Sequence, residues 1–119
     1  MHQQIEVMPS AARTATSSVR IKNRQGKYGR LIIDATAAAD TPSVVVTIKA
    51  VDKVSAVEST VLASAAITGV GTTILKVGPG LTAAANLVAN DVLPPEIEIE
   101  AVHADTDSIT YSIGLEIVD

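Results

Sequence analysis

The 119-residue chain contains no cysteine, phenylalanine or tryptophan, and its only aromatic side chains are Tyr28 and Tyr111. Without cysteine there are no disulfides, thiolate metal sites or thiol nucleophiles. Without large aromatics the core must be thin and aliphatic. Platforms on which bases stack are also missing, and basic residues do not dominate, so nucleic acid is not expected as a partner. No stretch approaches the ~20 apolar residues that span a bilayer as a helix. Residues 1–7 lack a basic segment followed by an apolar one, so no signal peptide and no membrane partner are expected.

What remains is small and β-branched. There are 18 alanines, and Val, Ile and Thr make up about a third of the chain. β-Branched side chains pack well on a pleated surface, which favours strands. A chain of this length fits one domain and buries roughly two-thirds of its unfolded surface. A core this light implies a modestly stable monomer that gains from partners.

The clearest pattern lies at residues 108–118. Ile109, Tyr111, Ile113, Leu115 and Ile117 alternate with Ser, Thr and Gly, as in a strand with one buried face. The same alternation predicts strands at 19–24, 31–36, 44–52, 61–67, 72–77 and 97–103. Gln25–Gly29, Gly78-Pro-Gly80 and Ala104–Asp107 read as turns. Residues 81–93, with Asn86, Asn90 and Asp91, read as a long ordered loop before Pro94-Pro95. Residues 1–17 show no sustained period and are expected to form an N-terminal arm, mobile alone and ordered on a partner. Residues 18–119 then form the single domain. The expected fold is all-β: an antiparallel β-sandwich of about seven strands, immunoglobulin-like or jelly-roll in class.

Catalytic chemistry finds little support. His2 and His103 are the only histidines. His103 precedes Asp105 and Asp107, but a zinc site needs three or four ligands, and the calcium-loop continuation is missing. No serine sits in a Gly-x-Ser-x-Gly elbow, and the glycine pairs match no phosphate-binding loop. No catalytic, cofactor-binding or metal-binding residues are therefore expected, and the chain reads as non-enzymatic. Charge is unevenly placed, about +4 over residues 1–53 and −8 over 54–119. Two ladders stand out. Arg20, Lys22 and Arg24 alternate on one expected strand; Glu96, Glu98 and Glu100 alternate on another. Like charges repel along a strand face unless solvated or matched. Three readings are open: solvated faces, pairing within the chain, or pairing across a subunit boundary. These six residues form the candidate interaction surface.

Three segments in order carry a resemblance. The first is Gly29-Arg-Leu-Ile-Ile-Asp-Ala-Thr-Ala37 with Thr41-Pro-Ser and the strand to Lys49. The second is Val77-Gly-Pro-Gly-Leu81 with Ala85-Asn86 and Asn90-Asp-Val-Leu-Pro94. The third is Ser108-Ile-Thr-Tyr-Ser-Ile-Gly114. Together they resemble small β-rich virion proteins of tailed bacteriophages, of the head-decoration or cement type. The resemblance implies a non-enzymatic protein on the capsid surface, present in the host cytoplasm during assembly. Its partner would be the major capsid protein, with a homo-oligomer on the particle. A tail or head–tail joining component is the nearest alternative. A carbohydrate-binding sandwich is the rival from another class, and it would need aromatic platforms that two tyrosines barely supply.

Overall fold

The computed structural model describes residues 2–119. Wherever apolar residues alternate with polar ones, the backbone is extended. Among the described residues there are nine strands and no helix. They are β1 (His2–Arg13), β2 (Ser17–Lys22), β3 (Tyr28–Ala38), β4 (Val44–Val51), β5 (Glu58–Ala63), β6 (Gly71–Gly78), β7 (Val88–Asn90), β8 (Glu96–His103) and β9 (Ile109–Val118). One sheet has the order β1-β9-β3-β6-β7, the other β2-β8-β4-β5. Every pairing is antiparallel except the short β6–β7 contact.

The topology follows a single rule once β7 is set aside. The first four long strands pair with the last four in reverse: β1 with β9, β2 with β8, β3 with β6, β4 with β5. The chain is thus one long hairpin rolled up so that successive pairs fall in alternate sheets. The pairs β3–β9 and β4–β8 close the roll. This is the jelly roll, two Greek keys in a double sheet. Of the two sandwich classes the alternation allowed, this strand order selects one.

The core lies between the sheets. The β9 row from Ile109 to Ile117 is at most 1% exposed at each inward position. It packs with Leu31 and Ile33 of β3, Ile97 and Ile99 of β8, and Val44 and Val46 of β4, all buried. The buried Asn23 ties the β2–β3 turn to the segment before β8. Its amide nitrogen donates to Gly26 O at 2.8 Å and to Pro94 O at 3.2 Å, and its oxygen accepts from Gly26 N at 2.9 Å.

Several boundaries differ from those the alternation predicts: β2 ends at Lys22 rather than residue 24, and β3 begins at Tyr28, inside the expected turn. The segment 1–17 was expected to stand outside the domain as an arm. Residues 2–13 instead form β1, an edge strand laid along β9 with two register shifts, between Glu6 and Met8 and between Met8 and Ala11. The bulges explain the discrepancy. An extra residue re-aims the side chains, so consecutive Val7 and Met8 are both buried and the period of two vanishes. Pro9 is tolerated because an edge strand has one unpaired side. Met1 lies outside the described residues. The expected strand at 61–67 is shifted to Glu58–Ala63, and the loop at 81–93 contains the three-residue β7, held beside Lys76–Gly78.

Candidate interaction surfaces

The register of β2 against β8 decides the fate of the charged ladders. Arg20 lies opposite Glu98, Lys22 opposite Glu96, and Ser18 opposite Glu100. Both ladders have a spacing of two, so once the strands pair they share the outward face. Arg20 Nε donates to Glu98 Oε1 at 3.0 Å, and its Nη2 to Glu58 Oε2 at 3.0 Å. Lys49 Nζ on β4 lies 2.7 Å from Glu100 and 3.4 Å from Glu58. Five charges on four strands thus form one network within the chain. The hydrogen bond to Glu98, then that to Glu58, holds the Arg20 guanidinium above its usual pKa. Lys49 is raised likewise, first by Glu100.

Of the six candidate residues, Arg20, Glu98 and Glu100 are therefore matched internally. The pairing across a subunit boundary is not needed to explain them. Lys22 and Glu96 are cross-strand neighbours but form no ion pair among the described residues; Arg24 sits past the end of β2, exposed in the turn. The six candidate residues do not include Lys49 or Glu58. Lys49 showed only as an outward residue, and nothing in the pattern places Glu58 beside Arg20, 38 residues away.

A second cluster caps one end of the core. His103 follows Ile97, Ile99 and Ala101 in the inward row of β8 and meets Tyr111 of β9 across the sandwich. His103 Nε2 lies 2.9 Å from the Tyr111 hydroxyl. The Arg13 guanidinium sits 5.3 Å from the centroid of the same ring. Burial pushes the His103 pKa down, with Arg13 acting the same way and Asp105 opposing, and burial pushes the Tyr111 hydroxyl up. The carboxylates of the imagined metal site are used by the turns. Asp105 accepts from Asp107 N at 3.1 Å, and Asp107 accepts from Thr41 N at 3.3 Å. This is a polar lid on an apolar core.

Shallow hollows open on the surface of the described residues, one of about 490 Å³ running between β1 and β9; two more bear on function. One, of about 550 Å³, lies between the β5–β6 connection and residues 85–87, and it carries the exposed Val70 and Leu87. The other, of about 290 Å³, opens on the outer face of the five-stranded sheet, lined by Tyr28, Arg30, Lys76, Leu81, Glu116 and Val118.

No family model matches the chain, and no curated protein matches it. Among solved structures it is similar to a chain in the structure of infectious bursal disease virus, Gx strain, at 13% sequence identity and a TM-score of 0.52. The match covers 98% of this chain and 32% of that one, so this chain spans about a third of the viral chain's length. At this identity the likeness is one of fold.

Proposed function

We propose that the protein is a non-enzymatic structural component of a virus particle. The observation that carries this reading is the jelly roll itself, matched over 98% of the chain to part of a chain from a virus structure. Jelly rolls serve capsids, lectins and cupins alike, and fold by itself does not assign function. The distribution of side chains favours the first of these. Tyr111 is 1% exposed, and a Cβ at Gly78 would overlap the Tyr28 ring, so that ring packs against the strand. Tyr111 therefore offers no platform for a sugar, and Tyr28 is a single, partly covered ring beside the hollow of about 290 Å³.

The finer reading is a decoration or cement protein on the outer surface of a tailed-bacteriophage head, bound to the major capsid protein. A protein that binds only the assembled shell stabilises it by mass action. The test is electron cryomicroscopy of particles from the source virus, with mass spectrometry of their proteins. The chain should be present, as density on the outer head surface with extents near 40 × 29 × 24 Å. Density on the tail would move the assignment to a tail or joining component. Absence from the purified particle would refute the structural role.

A further inference from the structure

We propose that the hollow on the outer face of the five-stranded sheet docks an acidic segment of a protein partner, setting a carboxylate between Arg30 and Lys76 and an apolar side chain against Leu81 and Val118. Register supplies the first argument. Arg30 lies directly opposite Lys76 across β3 and β6, and like charges so placed repel. On its other side Arg30 faces Glu116 of β9. That carboxylate is shared and distant: Arg30 Nε is 3.7 Å from one oxygen and His2 Nε2 is 3.7 Å from the other. Lys76 is exposed and has no ion pair among the described residues. The contrast with the opposite face is direct. There every cation of the network meets a carboxylate at 2.7–3.4 Å. In a chain of net charge −4, Lys76 leaves unmatched cationic charge beside the apolar floor of this hollow.

The floor supplies the second argument. Leu81 and Val118 are only partly covered, above a fully buried Val77. A carboxylate alone would gain little from exposed cations in water. Apolar contact beside the cations lowers the local dielectric and adds area, and it favours a peptide, which carries both groups at adjacent positions. A nucleic acid offers phosphates but asks for a run of stacking rings, and Tyr28 is the one aromatic ring beside Arg30 and Lys76 in the lining of this hollow, itself partly covered by Gly78.

The experiment is an amide-resolved NMR titration of the full chain with a blocked Glu-Leu-Glu-Leu-Glu peptide. A Gln-Leu-Gln-Leu-Gln peptide and a thymidine oligonucleotide serve as comparisons. Saturable shifts should cluster at Tyr28–Arg30, Lys76–Gly78 and Glu116–Val118. Lys76→Glu and Arg30→Glu should each weaken binding about tenfold, and Glu116→Gln should tighten it, because the competing internal carboxylate is gone. Binding should weaken as salt rises from about 50 to about 500 mM. Should either reversal disturb the free spectrum, Lys76→Gln provides the same comparison. Equal binding of the glutamine peptide, shifts elsewhere, the absence of saturable binding, or binding of the oligonucleotide alone would each overturn the proposal.

Discussion

At the scale of the residue, two inward side chains of the roll carry separate predictions. Ile113 is 1% exposed in the middle of the β9 row. Truncation to Ala removes buried methyl and methylene groups and leaves a cavity, at a cost of about 2–5 kcal/mol. A urea midpoint corresponding to a loss under about 0.5 kcal/mol would show that this face is not tightly packed. His103 makes stability depend on pH. Its folded pKa lies below the unfolded value of about 6.5, so the unfolded chain takes up the proton first. Stability should be full above about pH 6.5 and fall as the pH drops from there toward the folded pKa. The new imidazolium would lie on the same tyrosine ring that Arg13 covers. His103→Gln, which cannot titrate, should flatten the fall of the midpoint between about pH 7 and 5.5. An equally steep fall in the variant would place the titration elsewhere.

At the scale of the element, β1 and the charged face behave differently from a first reading of the sequence. Residues 2–13 cover the edge of β9 and bury Val7 and Met8. At about 1.5–3 kcal/mol for each buried side chain, deleting the strand should remove at least ~3 kcal/mol and expose a long strand edge, which invites aggregation. Size-exclusion chromatography with urea unfolding tests this; a truncated chain that stays monomeric with an unchanged midpoint would show that β1 is dispensable. On the four-stranded sheet, Arg20→Glu puts a third carboxylate beside Glu98 and Glu58 and should lower the thermal midpoint, less so in high salt. Lys22→Ala should stay within about 0.5 kcal/mol of the parent, as a surface change without a bonded partner does. The ladders themselves were legible, because alternation places three like charges on one face. Their partners were not, because register depends on which strands become neighbours.

At the scale of the whole molecule, rolling the hairpin makes most contacts distant in sequence. β1 is an edge strand whose one neighbour is β9, so it gains a sheet partner only when the two ends of the described chain meet. Loop closure precedes the contacts that reward it, and such topologies fold in milliseconds to seconds. Stopped-flow refolding should show a main phase in that range; completion within tens of microseconds would contradict the topology's control of the rate.

The alternation of Val, Ile and Leu determined by itself that this protein is all-β, which residues of β3, β4, β8 and β9 face inward, and that the sheets form a sandwich. Side-chain period is a local property of extended backbone, so it can be read along the chain. Only the tertiary structure decided the rest. The bulges at Glu6–Met8 and Met8–Ala11 turned an aperiodic stretch into a strand. The order β1-β9-β3-β6-β7 chose the jelly roll over other sandwiches. The pairing of β2 with β8 set Arg20 against Glu98, and that of β3 with β6 set Arg30 against Lys76. Strand order and register are relations between segments far apart in sequence, settled by how two apolar faces close on each other, and no local period encodes them.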